Sequence, residues 1–332
     1  MTINLFSWLF PDAPATDALD DPALEKSLEY AYAAIDPRLK ALGGDSRLRF
    51  REAVIHALAF CRIALDKISP ILDASQANWR KSPQLRALFS SDADLQKNLS
   101  CAPALQEFVE KNPDTPFIYV VLGTRMAIVD TFGTALVEGH VQRDTAVRQL
   151  DFSSPRLFLP CDTQVAFDEL CIRGLFSQLC REVRQIVDQR RDHLAELQAE
   201  IATLKNALLL RQHVGDAQDS DPAAVLRIEQ DLEDRQTRLH TLRLPNLDEE
   251  MAVIAGPLAK PEVLMPIDEK SVRIDATNRL VADDAPGTTV RFHEFGVHAP
   301  EEKRGVILRL CVPAAELLSR QTLTDNLARL YP

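Results

Sequence analysis

The sequence contains none of the short motifs that mark the common enzyme and cofactor sites. The nucleotide patterns G-x-G-x-x-G and G-x-x-x-x-G-K-[ST], the zinc pattern H-E-x-x-H and the hydrolase pattern G-x-S-x-G are all missing from its 332 residues. This removes the most recognisable enzyme classes without excluding an enzyme of another type. We therefore predict no catalytic residue, no cofactor site and no metal site.

Acidic residues outnumber basic residues, and the chain contains no long apolar run. The chain has 38 basic and 49 acidic residues and a net charge of -11, so its mean field repels phosphate backbones and anionic lipids. No apolar run reaches the roughly 20 residues that a membrane-spanning helix needs. We expect no nucleic-acid partner and no integral membrane segment, and peripheral membrane contact is disfavoured.

The six cysteines do not form a close metal-binding or redox pattern. No two of them are spaced as C-x-x-C, and several lie in apolar helical runs, as reduced and buried thiols do. The pattern predicts a cytoplasmic protein with free thiols. A disulfide framework is the alternative, but a chain of this size does not need one.

The candidate metal-binding histidines and acid-base carboxylates do not have the spacing that a site requires. In VRFHEFGVHAP, His293 and His298 are five residues apart, which places them on opposite faces of a strand and misses the helical metal spacing by one. The neighbours Asp168 and Glu169 point in different directions on a helix. His56 lies in an apolar helical run, which favours a buried core histidine.

The segment INLFSWLF, residues 3–10, is strongly apolar and precedes an acidic, proline-containing linker. It lacks the basic residues and the cleavage site of a secretory signal. As a helix it can pack on the protein's own core, dock into a groove on a partner, or lie in a membrane interface, the last being disfavoured by the acidic linker. The residues that we predict for partner docking are Leu5, Phe6, Trp8, Leu9 and Phe10.

Composition divides the rest of the chain into four segments that follow the apolar segment and linker of residues 1–22. We predict a helical bundle over 23–112, a β meander over 113–162, a coiled-coil hairpin insertion over 163–245, and an α+β segment over 246–332 that completes the sheet. Within the meander, short runs rich in Val, Ile, Thr and Phe predict three or four antiparallel strands. The run FIYVV at its start could instead end a buried helix.

The coiled-coil prediction depends on apolar residues that alternate at spacings of three and four. The first seam has one charged member, as does the second, and a polar link containing Gly215 and Pro222 separates them. So short a link predicts an antiparallel hairpin that folds near residue 217. The seam residues are Val187, Arg190, Leu194, Leu197, Ile201, Leu204 and Leu208, then Val225, Ile228, Leu232, Arg235, Leu239 and Leu242.

Folding near residue 217 sets Arg235 opposite residue 199, within reach of Glu196 or Glu200. A polar pair in such a seam adds little stability but can fix the register of the two helices. The hairpin register is therefore predicted to depend on Arg235, Glu196 and Glu200.

After the hairpin, the sequence predicts a short helix capped by Asn246 and closed by Gly256-Pro257, then three strands, then a helix that begins at Pro313. Strands from before and after the hairpin would join in one sheet. The expected fold class is α+β and predominantly helical, with an N-terminal helical bundle, a small antiparallel sheet and an inserted long coiled-coil hairpin.

These features favour a non-catalytic cytoplasmic interaction or assembly protein, a scaffold or adaptor. It would contact a protein partner through the projecting hairpin and through the N-terminal apolar segment, and it could also form a homo-oligomer. The alternative is an enzyme of unrecognised type with a site between the sheet and the N-terminal helices.

Overall fold

A computed structural model describes residues 22–41, 43–68, 70–137, 140–214, 222–243, 246–296, 304–320 and 322. Ten α-helices lie in this part of the chain. They are α1 (Pro22–Ile35), α2 (Gly44–Lys67), α3 (Gln76–Trp79), α4 (Pro83–Leu88), α5 (Asp92–Ser100), α6 (Pro103–Lys111), α7 (Gln164–Val214), α8 (Pro222–Leu242), α9 (Leu247–Leu258) and α10 (Pro261–Leu264).

Six strands of the described chain form one sheet. They are β1 (Leu72–Asp73), β2 (Phe117–Val137), β3 (His140–Cys161), β4 (Ile267–Ile274), β5 (Thr288–Phe295) and β6 (Gly305–Pro313). Five follow the order β3-β2-β6-β5-β4 with antiparallel neighbours, and the two-residue β1 pairs parallel to β6. The predicted α+β, predominantly helical class is confirmed, and so is one sheet joined from strands on both sides of the hairpin.

The chain divides into two compact units whose boundaries differ from those of the predicted segments. One unit combines the described residues up to Ala57 with Ser177–Lys260, and the other combines Leu58–Phe176 with the chain from Pro261 onward. The predicted bundle of 23–112 is therefore shared between the units. The reason is that the last residue of α1 and the turn that follows it, Asp36 to Arg38, make polar contacts with α7 and α9, which lie far away in sequence.

In the second unit, the face of the sheet towards α3–α6 is apolar. Register places Ile118 opposite Val312 and Val120 opposite Leu310, so that side chains of β2 and β6 share this face. They pack with buried side chains of the surrounding helices in one hydrophobic cluster. On the opposite face the ring of Phe167 in α7 lies 6.0 Å from that of Tyr119, so the start of α7 covers this part of β2.

A tight turn after β4 links the two edge strands of the sheet. The amide of Leu150 in β3 donates to the carbonyl of Asn278 at 2.8 Å, while the amide of Asp275 donates to the carbonyl of Arg279 at 2.9 Å. Asn278 has a positive φ of 61°, a conformation that asparagine tolerates better than most residues. Its side-chain amide also donates to the carbonyl of Ala87 at 2.7 Å.

The predicted meander is wrong in its number of strands. FIYVV is a strand, but β2 and β3 are two long strands of 21 and 22 residues rather than three or four short ones. Gly123 and Gly133 lie within β2, next to shifts in the strand register, and do not end the strand. A bulge absorbs the irregular residue without ending the strand.

Two predicted helix boundaries also differ. Asn246 does cap α9, accepting a hydrogen bond from the amide of Glu249 at 2.9 Å, but α9 continues through Gly256-Pro257 to Leu258. Pro313 ends strand β6 and is followed by a 3-10 turn at Ala314–Glu316, so the predicted last helix does not begin there. The rest of that prediction, from residue 323 onward, lies outside the described residues.

Candidate functional site

The helical hairpin formed by α7 and α8 has the seam that the sequence predicts. Val187, Leu197 and Ile201 of α7 are buried, and all six seam residues of α8 are half-buried. α7 is 51 residues long and α8 is 21. The spacing of apolar residues by three and four thus identified the face along which these helices pack.

Two side-chain contacts join α7 and α8 in an antiparallel arrangement. A guanidinium nitrogen of Arg190 donates to the carbonyl of Leu242 near the base of the hairpin. Further along, Nε of Arg235 lies 2.5 Å from Oε2 of Glu200. The midpoint between residues 200 and 235 falls beside residue 217, where the polar link was predicted to reverse the chain.

The structure brings together only two of the three predicted register residues. Glu196 lies 3.8 Å from Nδ1 of His193 on its own helix and not next to Arg235. The side chains of Arg235 and Glu200 are 34% and 51% exposed, so their ion pair is partly solvated. A partly solvated pair contributes less than a buried one, and its role in fixing the register remains a prediction.

The base of the hairpin is held to α1 by a buried carboxylate that sequence analysis missed. The side chain of Asp36 is only 4% exposed and accepts a hydrogen bond from Nη2 of Arg38 at 2.8 Å. Arg191 of α7 binds the same carboxylate oxygen. Arg38 also contacts Glu250 of α9 at 2.5 Å, so that one network joins α1, α7 and α9.

The electrostatics of this network favour the charged carboxylate. Burial alone raises the pKa of Asp36, but hydrogen bonds from Arg38 and Arg191 outweigh it and lower the pKa from 3.8 to about 2. The local sequence Asp36-Pro37 indicates only the end of a helix. Its contact with Arg191, 155 residues away in the chain, has no local sequence pattern.

Three leucines outside the seam are exposed at the end of the hairpin next to the connecting link. Leu209, Leu210 and Leu226 are 52%, 63% and 55% exposed, respectively. Reflection about the turning point places Leu209 at the level of Leu226. We call these three residues the leucine patch.

The predicted docking residues Leu5, Phe6, Trp8, Leu9 and Phe10 lie outside the described residues. Their role therefore stays a prediction.

The residues considered for chemistry do not converge. His293 is half-buried on β5, where burial lowers its pKa, and His298 lies outside the described residues. The carboxylate of Asp168 accepts a hydrogen bond from Nη1 of Arg309 at 2.9 Å and is thus engaged in an ion pair. His56 is exposed, so the expectation of a buried core histidine is wrong, because it lies beside the buried stripe of α2 and not within it.

All six cysteines are free thiols, four of them buried. Burial raises the pKa of Cys171 and of Cys180 to about 12. Both side chains are therefore neutral at physiological pH and are poor nucleophiles.

In the described part of the chain, no group of three or more His, Cys, Asp or Glu side chains is arranged to hold a metal ion. Within the same residues no helix combines the length and the apolarity needed to cross a bilayer. The chain matches no known protein family, no curated protein and no solved structure.

Proposed function

We propose that this chain is a non-catalytic interaction protein, a scaffold or adaptor, which contacts a protein partner through the helical hairpin of α7 and α8. The observation that carries the proposal is the leucine patch. The seam already supplies the apolar contacts that hold the two helices together, so Leu209, Leu210 and Leu226 are not needed for that purpose. Covering a fully exposed leucine is worth about 1.5–3 kcal/mol, and these three would contribute a substantial part of that each.

The packing of the second unit supports a non-catalytic role over the alternative enzyme. An enzyme site between the sheet and helices requires a cleft that holds titratable groups. The face of the sheet towards α3–α6 is instead filled by apolar side chains, including Leu85, Leu95 and Leu105 of the helices and Phe292 of β5.

Replacement of the leucine patch tests the hairpin. In the variant Leu209→Ser, Leu210→Ser, Leu226→Ser we expect loss of a specific co-purifying protein that the unchanged chain retains. A matched control replaces three exposed apolar residues elsewhere, Leu48, Val165 and Val263, by serine. Circular dichroism of both variants checks that their helices are intact.

The partner found in this way is then made pure and its affinity for each variant is measured by calorimetry. We expect at least a tenfold weaker affinity for the leucine-patch variant and an unchanged affinity for the control, because about 1.4 kcal/mol corresponds to a factor of ten. Equal binding of both variants, or selective loss in the control, would overturn the assignment of the hairpin.

The N-terminal apolar segment is proposed as a second, tethered contact for the same partner. Trp8 reports on it directly once Trp79 is replaced by phenylalanine. We expect red-shifted Trp8 emission that iodide quenches in the isolated protein and protection when the partner is added. Blue-shifted emission that iodide does not quench in the isolated protein would remove this second contact.

A further inference from the structure

A cleft of about 300 Å³ lies in the first unit, between α7, α9 and the residue that follows α8. Its apolar lining comes from Val187 and Leu194 of α7 and from Val253 and Ile254 of α9. Arginine side chains supply most of its polar lining, in a protein whose net charge is -11. The volume is at the lower end of the range for small-molecule sites.

Three arginines in and around the cleft are already compensated by carboxylates. Arg191 binds Asp36, and Arg38 lies 2.5 Å from Glu250, which also lines the cleft. The third is Arg184, whose Nε donates to Asp188 at 2.6 Å. These contacts balance the three acidic side chains of the network.

Two further arginines of the lining contact no carboxylate among the described residues. Arg190 donates to the carbonyl of Leu242, a neutral group, and this bond uses only one of the donors of its guanidinium. Arg243 directly follows Leu242 in the chain, lines the same cleft and is exposed. Because Leu242 directly precedes Arg243, this hydrogen bond places the Arg190 side chain close to Arg243 in the cleft.

We propose that this cleft binds a small amphipathic anion, with a carboxylate or phosphate head between Arg190 and Arg243 and a short aliphatic body on the apolar lining. Guanidinium groups suit both heads because their paired donors match carboxylate and phosphate oxygens. The apolar lining excludes water from one side of the head and strengthens this interaction. Binding here does not depend on the proposed protein partner.

Titration of the full chain with simple probes tests the site. Octanoate and octyl phosphate carry the two candidate heads, octylamine carries the opposite charge, and acetate and inorganic phosphate lack the aliphatic body. We expect saturable binding of at least one eight-carbon anion, measured by calorimetry. Its affinity should exceed that of octylamine and of the matching small anion by about tenfold or more. The stronger of the two eight-carbon anions identifies the head.

Substitution of Arg243 ties this binding to the cleft. Arg243→Gln should weaken the preferred anion by about tenfold, and Arg243→Lys should recover part of the loss because it restores the charge without the paired donors. Arg227→Gln, on an exposed position of α8, is the matched control and should bind like the unchanged chain. Thermal melting of each variant without ligand shows whether the fold is retained.

Three results would overturn the assignment. The first is the absence of saturable binding by either eight-carbon anion, and the second is binding of octylamine as tight as that of the anions. The third is an equal affinity of the folded Arg243→Gln and Arg227→Gln variants for the preferred anion.

Discussion

Asp36 illustrates how a single buried carboxylate makes stability depend on pH. Its pKa lies at about 2 in the folded protein, below the ordinary value of 3.8. A carboxylate whose pKa is lowered by folding stabilises the folded state at pH values above its unfolded pKa, and this contribution is lost as the pH falls towards the folded pKa. For Asp36 that window extends from about pH 4 down to about pH 2.

Replacing Asp36 by asparagine is expected to lower the free energy of unfolding by about 2 kcal/mol at pH 7, because a shift of one pKa unit corresponds to about 1.4 kcal/mol. The difference from the unchanged chain should shrink as the pH falls from 4 to 2. Urea unfolding at pH 7 and at several pH values between 4 and 2 measures the loss of unfolding free energy and its dependence on pH. Asp188→Asn, at a half-exposed position of the same network, is the control and should cost less. A difference that stays constant down to pH 2 would contradict the role of the charge.

Asn278 combines two contributions that substitution can separate. Alanine at this position loses the hydrogen bond to Ala87 and is also strained by the positive φ, whereas glycine loses only the hydrogen bond. We expect losses in unfolding free energy of about 2–3 kcal/mol for Asn278→Ala and about 1 kcal/mol for Asn278→Gly. Chemical denaturation measures both. Equal losses would show that the backbone conformation relaxes at no cost.

At this scale, sequence reasoning succeeded where the partner residue lies on the neighbouring helix of a regular hairpin. Arg235 and Glu200 were found because the seam spacing fixes which residues face each other. The contacts of Asp36 with Arg191 and of Asn278 with Ala87 were missed, since each joins residues far apart in the chain that only the tertiary fold brings together.

The helical hairpin is the element that the sequence predicts best. Its seam repeats over many turns, so that chance departures at single positions do not hide the period. Strands β2 and β3 were harder to predict because a glycine in a β-rich segment can have either of two structural roles. It can end the strand at a turn or lie in a bulge within it, and the local sequence is the same in both cases.

The contact between Arg235 and Glu200 should matter less than a buried pair would. We expect Arg235→Leu to keep or slightly raise the melting temperature, because leucine suits the seam and avoids desolvation of a charge. Glu200→Gln should lower the unfolding free energy by less than about 1 kcal/mol, since both partners reach solvent. Thermal melting of the two variants gives these values.

Glu196→Gln is the matched control for this pair, because Glu196 faces His193 and not Arg235. It should leave the melting temperature unchanged. A loss of 3 kcal/mol or more in Glu200→Gln would mean that the pair behaves as a buried one, with a larger role in stability than its exposure indicates.

For the whole molecule, the division into two units differs from the order of segments along the chain. Segment prediction proceeds along the sequence, whereas compact units depend on contacts between distant residues. α1 and α9 belong to one unit with the hairpin, although α1 precedes the sheet strands and α9 follows the hairpin. No local sequence pattern predicts that α1 and α9 belong to the same unit as the hairpin.

Shortening the hairpin should leave the second unit stable. Trp79 reports on that unit, because it packs on the hydrophobic cluster and its indole nitrogen donates to the carbonyl of Phe89 at 3.0 Å. In a Trp8→Phe background, we replace Lys205–Glu229 by a Gly-Ser turn, which keeps the pair of Glu200 and Arg235. The midpoint of urea unfolding monitored by Trp79 should not change.

Leu95→Ala is the positive control, since Leu95 is fully buried in the cluster and its truncation should cost about 2–5 kcal/mol. A fall in the midpoint of the shortened chain that approaches this control would show that the outer hairpin supports the second unit.

The pairing of β2 with β6 sets the order of events on the ribosome. Phe117 of β2 pairs with Pro313 of β6, so roughly 190 further residues are synthesised before β2 can pair with β6. At about 5–20 residues per second this delay lasts on the order of 10–40 s. The hairpin helices, which are neighbours in sequence, emerge completely within that time and can fold first. During the same interval the edge of β2 that later pairs with β6 has no neighbouring strand. An unpaired strand edge can pair with other chains, so we expect the nascent chain to be prone to aggregation until β6 is made.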